Sequence, residues 1–237
     1  MKLLVRNEIG REMEINKEDY QRLIDRGLKL RIVEQKTTKG KSKIYTAVVG
    51  DYPIKRKDIK CFGDEGIFNR GVMEAKRYKV LPHQFFKEDI TIWIDGNIYL
   101  KVNNEEAIDR FLGDADIAIF KHPYRKTVWH EFNTLMEQER FQIPWLQKQL
   151  SEQQKFYEDA GLPKNTPLWE CNFIIRRNNE KVNRLMDAWW SEICRWQWRD
   201  QVSFPYVVWK YGKDLKINTI TEGNIRSHKL FKYVNHY

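Results

Sequence analysis

The chain has 237 residues, 41% hydrophobic and 32% charged, enough for one sizeable domain with an elaboration or for two small domains. Three isolated cysteines (Cys61, Cys171, Cys194) exclude a disulfide framework and a Cys-x-x-Cys zinc site; no run nears the roughly 20 apolar residues that span a bilayer, and the opening apolar run is too short for a signal peptide, so a cytoplasmic location is expected. Forty-two Lys and Arg against thirty-three Asp and Glu give a net charge of +9, a balance that favours an anionic partner.

Residues 1–40 read as a separate β-α-β element: a strand at 3–5, a helix at 17–26 capped by Asn16 and stopped by Gly27, and a strand at 28–33. Residues 36–43 form a polar, basic linker. From residue 41 to 237 the pattern alternates. A strand at 44–49 ends at Gly50-Asp51-Tyr52-Pro53, and a short strand at 59–62 ends near Gly63-Asp64. A helix at 73–86 is broken by Pro82. The strand at 90–95, a helix at 104–112 and a strand at 116–120 follow. Helices at 127–140 and 145–160 come next, the latter opened by Pro144 and stopped at Gly161. After a strand at 171–176, Val182, Leu185, Met186, Trp189, Trp190, Ile193 and Trp196 repeat at helical spacing, a core stripe rather than a ligand site. This rhythm predicts an α/β fold, a mostly parallel sheet with helices on both faces.

The chemistry concentrates at Ile90-Thr91-Ile92-Trp93-Ile94-Asp95-Gly96-Asn97-Ile98. An apolar run stops abruptly at an acid, a glycine and an amide. Open α/β sheets bind ligands outside the carboxyl ends of their strands. A carboxylate and an amide oxygen two residues apart suit a hard divalent cation that also holds a diphosphate. An Asp-Gly hairpin turn explains the same residues, so both readings stay open here. Between 36 and 60, Lys36, Lys39, Lys41, Lys43, Lys55, Arg56, Lys57 and Lys60 are opposed only by Asp51 and Asp58, which reads as a solvated basic face or a polyanion contact.

Seven stretches together resemble one family: residues 44–52, 61–62, 75–83, 92–97, 116–125, 172–178 and 199–206, in that order. The family is the GT-A-type glycosyltransferase group that includes the plant turgor-regulation-defect and mucilage-related proteins, a former domain of unknown function. The resemblance implies a GT-A-like, Rossmann-like sheet with a nucleotide-sugar half followed by an acceptor half. It places Thr46, Ala47, Gly50, Asp51 and Tyr52 at the nucleotide, Asp64 near base or ribose, and Arg77 and Lys79 at the diphosphate. Asp95 and Asn97 would hold Mn²⁺ or Mg²⁺, with His228 favoured over His236 as a third ligand. Lys121, His122 and Arg125 would meet donor, phosphate or acceptor. Asp200 and Gln201 would lie under the donor sugar, with Asp200 or Glu170 as general base in an inverting reaction.

The leading expectation is therefore a metal-dependent glycosyltransferase using a UDP-sugar. Its acceptor is a glycan or a polyanion, a modified base in DNA being the sharpest case. The competing expectation is a non-catalytic nucleic-acid-binding module on the same fold, which predicts salt-sensitive binding without turnover. A hydrolase reading also attaches to the family, but the chain has neither Gly-x-Ser-x-Gly nor His-Glu-x-x-His.

Overall fold

The computed structural model describes residues 2–7, 12–36 and 40–235. The chain divides into two compact units, Met1–Gly40 and Lys41–Tyr237. In the first, β1 (Lys2–Asn7), β2 (Glu12–Asn16), α1 (Lys17–Asp25) and β3 (Leu30–Lys36) form an antiparallel sheet in the order β2-β1-β3 with one helix. Asn16 caps α1 as expected, its side chain accepting from Asp19 N at 2.7 Å. Gly27 follows the helix at φ +83°. The element is thus ββαβ rather than β-α-β. Its extra strand is five residues long and carries Glu12 and Glu14, residues of low strand propensity. Of the basic linker, residues 37–39 lie outside the described residues, as does His236.

The second unit contains β4 (Ser42–Ala47), β5 (Lys60–Phe62), α2 (Gly71–Val80), β6 (Ile90–Ile94), β7 (Ile98–Leu100) and α3 (Asn104–Ala107). Then come β8 (Ile117–Lys121), α4 (Val128–Glu137), α5 (Pro144–Asp159), β9 (Trp169–Arg177), α6 (Glu180–Arg195), α7 (Asp200–Tyr211), β10 (Ile217–Ile220) and β11 (Phe231–Tyr233). Six strands form one sheet in the order β10-β8-β9-β6-β4-β5, and β7 pairs with β11 in a separate two-stranded ribbon. All strands of the large sheet run in one direction except β9, which is antiparallel to both β6 and β8. The α/β class is as expected: mostly parallel, with helices on both faces.

Period-2 alternation divides the core between those faces. Ile90, Ile92 and Ile94 pack with Ala107, Ile108, Phe111 and Leu112, which come from α3 and the π-helical turn that continues it. Trp93, with Tyr45, Ile117, Ile119 and Ile174, packs on the other face beneath α2, α4, α5, α6 and α7. Val182, Leu185, Met186, Trp189 and Ile193 of α6 are buried there, with Trp190 partly buried against them and Trp196 half-buried just past the helix end, so the stripe is core apart from its last residue. Among the described residues, no helix is long and apolar enough to cross a membrane.

One irregularity shapes the site. Along β8 and β9 the register jumps, Ile119 opposing Ile174 and Phe120 opposing Glu170. On the other edge, Asp95 N still bonds Asn172 O at 2.9 Å. A bulge of this kind re-aims side chains that regular alternation would send to opposite faces.

Candidate active site

Ala47, Asp95 and His122 stand at the carboxyl ends of β4, β6 and β8. Because β9 runs the other way, its first residues, including Glu170, join them there. This is the ligand-binding edge of an open α/β sheet. Two clefts open on it. One, of about 350 Å³, is walled by Ala47, Val48, Val49, Tyr52, Gly71, Ala75, Trp93 and Gly96. The other, of about 440 Å³, is lined by His122, Tyr124, Arg125, Arg140, Glu170, Cys171, Asn172, Arg199, Asp200, Gln201, Arg226 and Tyr233. Lys76, Lys79, Asp95 and Asn97 line both.

Four of these groups form a charge-balanced knot at the junction. Lys79 Nζ lies 2.7 Å from Asp200 Oδ2 and 3.4 Å from Asp95 Oδ1. Lys76 Nζ lies 2.7 Å from the same Asp200 oxygen. Trp93 Nε1 donates to Asp95 Oδ1 at 2.7 Å. Burial works to raise the Asp200 pKa, but Lys76 and Lys79 outweigh it and hold the carboxyl well below its usual range. Burial likewise pulls Lys79 down, and Asp200 and Asp95 more than reverse it. Lys76 ends below its ordinary value, burial prevailing over Asp200. Asp200 also opens α7, where the helix dipole favours a negative charge. Behind the knot, buried Arg176 of β9 donates to Tyr45 Oη at 2.6 Å and to Lys79 O at 2.5 Å, fixing the last turn of α2.

The larger cleft combines unsatisfied acceptors with guanidinium groups. Glu170 Oε2, Asn172 Oδ1 and Gln201 Oε1 are buried without a hydrogen-bond partner. Arg226 pairs with the other Glu170 oxygen. Burial raises the Glu170 pKa, with Arg226 opposing. Glu131 of α4, fully buried, pairs with both Arg125 and Arg199. His122 accepts from Tyr124 N and Arg125 N through Nδ1. Burial, reinforced by Arg125, lowers its pKa to about 4, so the ring is neutral.

Of the residues singled out from sequence, Glu170, Asp200, Gln201, Ala47, Tyr52, Lys79, His122, Arg125, Asp95 and Asn97 line one or both clefts. The structure does not bring the others there. Thr46 is wholly buried in β4, and Gly50, Asp51 and Lys121 are exposed outside both linings. Asp64 Oδ1 accepts from Gly66 N in a local turn. Arg77 faces Glu65 at 3.8 Å and the Phe85 ring and lines neither cleft. The reason is helical: residues two apart point about 200° apart, so Arg77 and Lys79 cannot serve one ligand, whereas Lys76 and Lys79 can. His228 packs edge-on against Phe111, Phe120 and Phe231, its Nδ1 accepts from Leu230 N, and it lines neither cleft.

Sequence reasoning assigned no role to Lys76, Asn172, Arg140 or Arg226. Arg56 was also misplaced among the exposed basic residues. It is buried, donates to Gly96 O at 3.2 Å and Ile98 O at 2.8 Å, pairs with Asp58 at 2.8 Å, and so clamps the 95–97 turn.

Among the described residues no three His, Cys, Asp or Glu side chains are grouped to hold a metal ion. Asp95 and Asn97 nevertheless suit one that shares its ligands with a diphosphate. Asp95 spends Oδ1 on Trp93 and Lys79 and is left with Oδ2. Asn97 Nδ2 donates to Val234 O at 3.1 Å, a partner that can only accept, which fixes the amide and leaves its oxygen for a ligand.

Residues 64–236 match the family model described as "TOD1/MUCI70, glycosyltransferase-like domain". The chain is 28% identical over 153 residues to "Probable hexosyltransferase MUCI70" of Arabidopsis thaliana, an alignment covering 59% of this chain and 25% of that protein. The chain therefore spans about a quarter of that relative's length. The apo crystal structure of mouse xyloside xylosyltransferase 1 is similar over 61% of this chain and 50% of that one, at 16% identity and a TM-score of 0.35, too distant to bear on the site. With nearly three quarters of its length matched by that family model, the chain belongs to the TOD1/MUCI70 glycosyltransferase-like family.

Proposed function

We propose that the chain transfers a sugar from a nucleotide diphosphate donor, a UDP-sugar, to a hydroxyl of an acceptor glycan. The observation that carries this is that Glu170, Asn172 and Gln201 line one cleft together with Lys76 and Lys79, and that each of the three has a buried oxygen without a hydrogen-bond partner. Buried acceptors without donors are rare and costly. A ligand rich in hydroxyls supplies donors, and its phosphates suit the cations. The smaller, largely apolar cleft suits the nucleoside, and the shared junction suits the diphosphate.

Bound at Asp95 and Asn97, Mn²⁺ or Mg²⁺ would supply a Lewis acid for the departing phosphate. The chain's own residues do the rest. Lys79 holds Asp95 and Asp200 in fixed relation. Asp200, kept ionised, stabilises positive charge developing at the anomeric carbon. Asn172 and Gln201 accept from sugar hydroxyls and orient the ring. Glu170, its proton affinity raised by burial, takes the acceptor hydroxyl proton as the new glycosidic bond forms and the bond to the diphosphate breaks. Arg56 is buried and committed to the 95–97 turn, so the 36–60 run is less than the uniform polyanion-binding face its composition suggests, and a glycan acceptor is the better reading. The test is a UDP-sugar panel with Mn²⁺, reading free UDP with and without an acceptor mixture. Release of UDP from one donor supports the proposal, and no release from any donor overturns it.

A further inference from the structure

The charges of the site do not cancel evenly. At the junction, Lys76 and Lys79 are matched by Asp95 and Asp200. Arg226 is matched by Glu170. Arg125 and Arg199 both pair with a single carboxylate, Glu131, and Arg140, which lines the same cleft, makes no ion pair among the described residues. Two positive charges are therefore left over, and all three arginines line the 440 Å³ cleft while none lines the smaller one. Arg140 is the exposed member. It donates to the Gln138 amide oxygen at 3.2 Å and lies over the Phe141 ring. Burial lowers its proton affinity first and Arg199 lowers it further, so these like charges lie close enough to repel. Neighbouring His122 is neutral and adds no further positive charge.

Guanidinium groups held together against their own repulsion fit an anion that the protein does not contain. The constellation already seats a carboxylate, because Glu131 takes Arg125 on one oxygen and Arg199 on the other. Arg140 presents the same planar fork on the open side. We propose that the distal part of this cleft binds a sugar carboxylate, so that one of the two sugars brought together in the reaction is a uronic acid. The assignment rests on the glycosyl-transfer reading for the word sugar, but the anion site itself does not.

The acid can belong to the acceptor or to the donor sugar, and two titrations on the full chain separate these sources. The first compares a glucuronic acid trisaccharide with its methyl ester, which has nearly the same shape but no charge. The second compares UDP-glucuronate with UDP-glucose. A roughly tenfold preference for the acid over its counterpart is expected in one of them, the size of a charge-assisted hydrogen-bond pair in a partly exposed site. A preference in the first assigns the carboxylate to the acceptor, and in the second to the donor. Arg140→Gln, which leaves the buried Glu131 pairs intact, should reduce that preference to within a factor of two or three, and Arg140→Lys should restore only part of it. Equal binding of acid and counterpart in both titrations overturns the proposal, as does a preference untouched by Arg140→Gln. If no UDP-sugar turns over yet the acid preference persists, the transfer reading falls while the anion site stands.

Discussion

The two clefts meet at Lys76, Lys79, Asp95 and Asn97 but are built in opposite ways. The smaller one is made of close backbone approach between neighbouring segments. A Cβ on Gly96 would lie 3.0 Å from Val48 Cγ2 and 3.5 Å from Tyr52 Cε1, and one on Gly71 would lie 2.7 Å from Val49 Cγ1. The larger one is made of ionic contacts between distant parts of the chain: Lys76 with Asp200, Arg199 with Glu131, Arg226 with Glu170. The first should tolerate changes of charge and resist added bulk. The second should do the reverse, because a buried ion left without its partner costs more than the pair contributed.

Asp200→Asn is the severest test of that contrast. It leaves two buried ammonium groups sharing Asp95 alone, and is expected to cost about 3–5 kcal/mol of stability. Denaturant unfolding of wild type and variant measures it, and a loss below about 1 kcal/mol would show that the knot is more hydrated than its burial indicates. Gly96→Ala comes next. It adds one methyl against Val48 and should weaken UDP binding roughly tenfold by displacing the cleft wall, with a smaller effect on stability. Calorimetry with UDP checks this, and unchanged affinity would detach the smaller cleft from the nucleotide.

His122 gives a milder, pH-dependent effect. Its folded pKa of about 4 lies below the ordinary 6.5, so the unfolded chain binds the proton first as pH falls. Stability from this group is full above pH 6.5, declines between about 6.5 and 4, and levels off below. His122→Asn keeps an acceptor for the Arg125 amide and should flatten this part of the melting profile. Identical slopes in the two proteins would mean that the ring takes up its proton at the same pH in the folded and the unfolded chain, contradicting the lowered pKa. The smallest effect is expected from Arg77→Ala, which should leave UDP affinity within a factor of two because its guanidinium faces Glu65 and Phe85. A tenfold loss would return Arg77 to the diphosphate.

The same contrast explains what could be read in advance. Asp95 and Asn97 were legible because a strand end followed by a glycine turn is a local pattern, whereas Ala47 and Tyr52 came with the family resemblance. Asp200 and Gln201 came with the family resemblance, as the acid and amide it places under the donor sugar. Asn172, Arg140 and Arg226 were not legible, since what brings them together is a strand bulge and pairings between segments far apart in sequence. Lys76 was legible in principle: it shares a helical face with Lys79, a spacing rule that the choice of Arg77 overlooked. His228 had the right residue type, but its phenylalanine neighbours come from β8, β11 and the turn after α3, and no local signal announces them.

Asp95→Asn bears on the central claim most directly, because it keeps the shape of the 95–97 turn and removes only the charge that faces both clefts. With the active UDP-sugar and Mn²⁺, turnover should fall by about 10²–10³, or roughly 3–4 kcal/mol of transition-state stabilisation. The melting temperature should change little, since Asn can still accept from Trp93 and Lys79 retains Asp200. Turnover within a factor of a few of wild type would contradict the account, reducing Asp95 to a turn residue and removing the junction from the chemistry.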